Sequence, residues 1–200
     1  MAEGLRERKK QQTRQQIAEI ARRRFAEEGF ERVTVAEIAR EAQVSEKTVF
    51  NYFPTKEDLV YWRLESFEQE LLGTIRDRDE GESVLEAFGR FVRAPRGMLG
   101  DDVDEETREQ LAALTRTIAE SPALLARERQ IFEGYTRSLA DVIPGEGIEP
   151  WVVANALMGV HRALVDHARG RILEGARHPE LADEIRAEAD RALALLERGL

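Results

Sequence analysis

The chain has no cysteine, only three histidines in 200 residues, and no apolar run of the ~18 residues that a membrane span needs. The first absence excludes disulfide frameworks, thiol redox sensing, thiolate zinc sites and cysteine nucleophiles by count. The charged N-terminus has no apolar segment behind it of the kind a secretory signal carries, so the expected location is the cytoplasm, with no membrane partner. His161 and His167 stand six residues apart, not the i, i+4 spacing of a helical metal pair, and neither they nor His178 has an evident nucleophile or acid pair nearby. No enzymatic activity, metal or cofactor is expected. The run Asp101, Asp102, Asp104, Glu105, Glu106 reads as a solvated loop before a helix start, a simpler account than a hard-cation site. No strand pattern and no internal repeat are visible, and 42% hydrophobic content is ordinary for one large domain or two small ones.

What is present is concentrated between Val33 and Lys56, VTVAEIAREAQVSEKTVFNYFPTK. Thr34 with Glu37 three residues on forms a capping box, and Val33 with Ile38 a hydrophobic staple, so a helix begins there. A second begins at Ser45, with Val44 and Val49 at the staple positions, and stops near Phe53 because Pro54 cannot continue it. A helix this short needs its neighbours, and Ile38, Ala39, Ala42, Val44, Val49 and Phe53 are available to pack. Glu46, Lys47, Thr48, Phe50, Asn51 and Tyr52 are left facing outward, a surface suited to phosphates and base edges. Upstream, Ile17, Ile20, Ala21 and Phe25 make an apolar stripe that ends at Gly29. The spacing predicts a Schellman ending in which Phe25 touches Phe30. Thr55 with Asp58 predicts the start of a long helix through Leu59, Trp62, Leu64, Phe67 and Leu71.

The run IAEIARRRFAEEGFERVTVAEIAREAQVSEKTVFNYFPTKEDL resembles the DNA-binding domain of TetR-family transcriptional regulators, over about Arg8 to Leu59. The Phe-Gly-Phe helix ending, the Thr-capped second helix and the Tyr-Phe-Pro-x-Lys-Glu junction carry the likeness. The resemblance implies an all-α homodimer. Each subunit would hold an N-terminal three-helix helix-turn-helix domain, assigned to residues 1–54, and a C-terminal helical domain for effector binding and dimerisation, assigned to 55–200. One departure is visible: Gln43 holds the turn position usually given to Gly, and a left-handed conformation there would cost on the order of 1 kcal/mol.

The net charge of −9 is unusual for a chain that meets DNA, but its distribution is uneven. Residues 1–24 carry eight Arg or Lys (Arg6, Arg8, Lys9, Lys10, Arg14, Arg22, Arg23, Arg24) against three Glu, while residues 61–200 carry 18 basic and 28 acidic groups. A basic arm on an acidic body aims the attraction for a polyanion at one surface.

Beyond Leu72 the breakers predict helices over 55–78, 83–97, 104–120, 122–142, 150–174 and 179–198, punctuated by Gly81, Gly97 with Gly100, Ser121-Pro122, Pro144 to Gly147, and Gly175 before Pro179. The stretch WVVANALMGV is apolar nearly all round, which a helix tolerates when covered on more than one side. The last helix sets Leu181, Ile185, Ala189, Ala192 or Leu193, Leu196 and Leu200 on one stripe. Either these two helices join a partner in a four-helix bundle burying roughly 800 Å² per subunit, or they close the monomer's own core. A homodimer would place two reading helices in successive major grooves roughly 34 Å apart, on a double-stranded, pseudo-palindromic operator.

Thr34, Ser45, Lys47, Thr48, Asn51, Tyr52 and Lys56 form the expected DNA-binding set. Lys47, Thr48 and Asn51 would reach base edges, and Tyr52 and Lys56 phosphates; any contact from Thr34 would be additional to its capping. An effector pocket is expected from Trp151, Asn155, Met158 and Arg162 on one helix face, with Phe91, Phe132 and Tyr135, and also Phe88 and Met98, on earlier helices. The same residues would serve equally as core or dimer contacts. The expected function is a ligand-responsive repressor in which an effector shifts a population of conformers and moves the helix after Thr55 as a lever. The alternative is a constitutive DNA-bound protein of the same fold that recruits a protein partner.

Overall fold

A computed structural model describes residues 2–62, 64–96, 99–101 and 103–199, and the described residues are helical with no strand. Gly97, Met98, Asp102 and Leu200, and the side chain of Arg6, all named above, lie outside what is described. The helices are α1 (Ala2–Glu28), α2 (Val35–Glu41), α3 (Glu46–Tyr52), α4 (Leu64–Arg76), α5 (Val84–Arg93), α6 (Glu105–Glu120), α7 (Pro122–Ala140), α8 (Glu149–Leu173) and α9 (Glu180–Glu197). None is long and apolar enough to cross a membrane. The chain divides into two compact units, residues 1–63 with 116–127, and residues 64–115 with 128–200.

In the first unit the apolar stripe of α1 buries Ile17, Ala18, Ala21 and Phe25. At its end Gly29 takes φ +87°, and its N–H donates to the Phe25 carbonyl at 3.0 Å. This single bond makes an αL ending in place of the two-bond Schellman pattern expected there, although the Phe25 and Phe30 rings do meet, 5.1 Å apart. The two-bond pattern occurs instead at the end of α2. Val44 N–H donates to the Ala39 carbonyl at 3.0 Å and Gln43 N–H to that of Arg40 at 3.2 Å, around Gln43 at φ +57°. Ile38, Ala39, Ala42, Val49 and Phe53 are buried as a single packing surface, with Val44 half-buried.

The long helix expected from Thr55 does not form. Thr55 and Asp58 make their cap, with the Thr55 hydroxyl donating to Asp58 Oδ2 at 2.9 Å, but it opens only a 3-10 turn, Glu57–Leu59, and α4 begins at Leu64. The cause is tertiary. Leu59 and Tyr61 are both buried, and positions two apart lie on nearly opposite sides of an α-helix. The Tyr61 hydroxyl donates to the Leu124 carbonyl at 3.0 Å, and Arg127 Nε donates to Asp58 Oδ1 at 2.8 Å. These partners bring residues 116–127 into this unit.

The second unit is built on Leu71, Ile75, Phe88, Leu139, Leu157 and Met158, all buried, with Ala189 and Leu193 of α9 in the same cluster. Helix α5 starts at its Ser83–Glu86 capping box but ends at Arg93, short of the expected 97. Ala94 precedes Pro95 and adopts φ −66°, ψ 123°, the extended backbone that a following proline imposes. The apolar stripe of α9, Leu181, Ile185, Ala189 and Leu193, is spent inside the subunit against α5 and α8.

Candidate nucleic-acid interface and interior cavity

Helix α3 presents its outer face because Val49 anchors its inner one. Ser45 Oγ accepts the Thr48 N–H at 3.1 Å and pairs with the Thr48 hydroxyl at 2.8 Å, fixing the first turn. Lys47 and Asn51 are exposed, Thr48 and Tyr52 half-buried, and Phe50 is 45% exposed. These side chains share one short, rigidly started helix. They make a ridge of ammonium, hydroxyl, amide and phenol groups.

Thr34, Ser45 and Lys56 are more fully engaged within the fold. Thr34 donates its hydroxyl to Glu37 Oε2 at 2.8 Å and its backbone N–H to the same oxygen at 2.8 Å, and accepts the Glu37 N–H at 3.3 Å. The backbone bond from Thr34 foremost holds the Glu37 carboxyl below the usual carboxylate range. Lys56 turns its ammonium onto the Phe30 carbonyl, 4.2 Å from the centre of the Phe30 ring and 5.8 Å from that of Phe25. Burial pushes its pKa down. A phosphate contact from Lys56 would require this group to turn outward.

The basic residues of α1 fall into two sets. Arg22 pairs with Glu19, Arg23 with Glu41, and Arg24 reaches Glu28 at 2.7 Å and Glu41 at 3.4 Å, so these three tie α1 to itself and to α2. Arg8, Lys9 and Lys10 remain exposed. The Arg14 guanidinium lies 5.5 Å from the centre of the Phe53 ring, a contact that no local pattern announces.

The second unit holds a cavity of about 200 Å³ between α4, α5, α8 and α9, walled mainly by Phe67, Phe91, Leu164, Val165 and Ile185 with the imidazole of His161. Of the residues expected to line a pocket, Phe91 does so. Phe132 and Tyr135 are buried just behind, with Phe132 edge-on to His161 at 5.3 Å and Tyr135 stacked on Phe67 at 5.7 Å. Met158 is fully buried core. Trp151 is 46% exposed, Asn155 donates back to the Trp151 carbonyl at 2.7 Å, and Arg162 bonds the Met158 carbonyl at 3.2 Å; none of the three lines the cavity. The lining face of α8 is His161, Leu164, Val165 and Ala168, at i, i+3, i+4 and i+7. That second helical stripe lies just beyond the more conspicuous apolar run, on a different face of α8 from Trp151, Asn155 and Arg162.

His161 makes no hydrogen bond to any described residue, yet no polar side-chain atom is fully enclosed without a partner among them. Its ring nitrogens are therefore not sealed off, and its imidazole is part of the cavity wall. Burial, then the nearby charges of Arg162 and Arg96, lower its pKa to about 4. The ring is neutral near pH 7.

The sequence pattern of the family described as bacterial regulatory proteins, tetR family, matches residues 17–61. The chain is 31% identical over 148 residues to the HTH-type transcriptional regulator TcmR of Streptomyces glaucescens, which covers 73% of this chain and 66% of that protein. It is 37% identical over 109 residues to the HTH-type transcriptional regulator LuxR of Vibrio harveyi, covering 54% and 42%. The chain thus spans just under two thirds of the first relative's length and less than half of the second's. A crystal structure of a transcriptional regulator from Rhodococcus sp. Rha1 shares the fold with TM-score 0.51 at 22% identity, covering 93% of this chain and 96% of that one.

Proposed function

The chain belongs to the tetR family of bacterial regulatory proteins, and from that premise we propose that it is a homodimeric transcriptional regulator, a repressor that leaves its operator when a small effector binds. Its named relatives are regulators, not enzymes. The observation that carries the reading is the outward ridge of α3 over buried Val49. Lys47, Thr48 and Asn51 address base edges in the major groove, Tyr52 a phosphate, and the exposed Arg8, Lys9 and Lys10 add charge attraction. Thr34, Ser45 and Lys56 serve the same surface by holding its backbone in place. Residues 1–54 supply DNA reading and residues 55–200 effector and partner binding, in the cytoplasm where the chromosome lies.

Dimerisation through α8 and α9 is supported by apolar surface left open in one subunit. Val152 is 58% exposed and Leu195 50% exposed. Val152, Ala156, Gly159 and Ala163 follow one another along α8 at i, i+4, i+7 and i+11, and a Cβ at Gly159 would meet nothing within 4 Å. Small residues let a second helix approach closely. The cavity favours effector control over constitutive recruitment, because a mainly apolar hollow with a few polar groups on its wall, here His161 and Arg96, is how a small molecule is held. An effector that prefers one arrangement shifts the population by its differential affinity.

Gel shifts on an operator selected from random duplex DNA test the assignment. Lys47→Ala and Tyr52→Ala should each weaken binding by about tenfold, from loss of a groove or phosphate contact worth on the order of 1 to 2 kcal/mol. Unchanged affinity in both variants would remove α3 as the reading element.

A further inference from the structure

We infer that the cavity of the second unit takes a neutral single-ring compound carrying a hydroxyl group, with the hydroxyl bonded to His161. This names the ligand class for the effector reading above and rests on it.

Size sets the first bound. A cavity of ~150 Å³ accommodates benzene, so about 200 Å³ matches one substituted ring. Shape and polarity set the second. Phe67 and Phe91 meet edge-on at 5.1 Å, and with Leu164, Val165 and Ile185 they make walls that favour a flat apolar body.

The polar end is set by His161. Its ring packs 4.8 Å from Phe67 and 5.3 Å from Phe132, and its nitrogens are unmet by any described residue. A neutral imidazole offers one donor and one acceptor. A hydroxyl satisfies either tautomer, whereas a carbonyl suits only the donor nitrogen. Nor does the site call for an anion. Arg96, the cation on the wall, is committed to Glu70 at 2.7 and 3.3 Å and lies 4.0 Å from the centre of the Phe91 ring. A ligand carboxylate would lose its water there beside an imidazole that carries no charge, and the positive field of Arg162 and Arg96 at His161 offsets only part of that loss.

Calorimetric titration of the full-length protein with toluene, 4-methylphenol and 4-methylbenzoate reads the class directly. The phenol should bind about tenfold more tightly than toluene, the difference of one buried hydrogen bond, and the benzoate more weakly than the phenol. His161→Phe should keep toluene binding and abolish the phenol's advantage, while His161→Gln, again a neutral donor and acceptor, restores part of it. Perturbation of the His161 ring-nitrogen resonances by the phenol reports the same contact without any substitution, should His161→Phe fail to fold. Equal affinity for toluene and the phenol, preference for the benzoate, an unperturbed His161, or no binding of any of the three would each overturn the inference. Tight binding of the phenol with no effect on operator occupancy would uphold the ligand class and instead overturn the effector reading.

Discussion

His161 shows how much a single side chain can report once its surroundings are known. Its pKa lies near 4 in the folded chain, because burial, Arg162 and Arg96 all disfavour its charge, against an ordinary value of 6.5. The unfolded chain therefore binds more protons between those values, and stability falls as pH drops from about 6.5 towards 4. By pH 5 the loss from this group should be about 2 kcal/mol, read by urea denaturation at pH 7.5 and pH 5. His161→Gln should flatten that slope. Glu70 and Glu184, held below the usual carboxylate range chiefly by side-chain hydrogen bonds from Arg96 and Arg171, lose their contributions only as pH falls further, below 4.5. His161 and His167 lie on the same helix, and only the first shares a stripe with Leu164, Val165 and Ala168. What separates them is the aromatic cage around one and the exposed Glu184 pairing of the other. Lys47 and Lys56 part company for the same reason. Among the described residues the former has no ring to sit on, and the latter has two.

At the level of elements, what depends on neighbours in the chain was legible and what depends on distant partners was not. The caps at Thr34, Ser45 and Ser121 formed where their spacing put them. The cap at Thr55 also formed, yet the helix it announced gave way because Leu59 and Tyr61 must both face inward. Helix α5 stopped early at a proline whose influence on the preceding residue is local and could have been weighed. The α2–α3 turn carries the departure from glycine at Gln43, and there the full two-bond ending offsets part of the strain of φ +57°. Gln43→Gly should accordingly raise stability by up to about 1 kcal/mol. For a chain of this size that is a rise in Tm of about 2 to 4 °C in a thermal melt. The hydrogen bonds of the turn are all backbone, so operator affinity should stay within about twofold.

For the whole molecule, the all-α architecture followed from periodicity and breakers, whereas the location of the cavity did not. A helix as apolar as the start of α8 has several faces that read alike, and only the packed chain shows which one borders empty space. The dimer proposal can be tested on the face that remains. Gly159→Arg adds a long charged side chain where the subunit itself leaves room, so the fold should survive. Sedimentation velocity should find monomer in place of dimer, and affinity for a two-half-site operator should fall by about a hundredfold as the two heads lose their linkage. A variant that still sediments as a dimer would move the interface elsewhere.

The participation of residues 116–127 in the first unit bears on any attempt to transplant specificity. A hybrid regulator made by splicing only the first 63 residues onto a foreign body would strip the Leu124 carbonyl from Tyr61 and the Arg127 guanidinium from Asp58. The borrowed head would arrive with its exit segment unsupported. A graft that carries residues 116–127 along with it keeps the whole unit together and leaves those bonds whole.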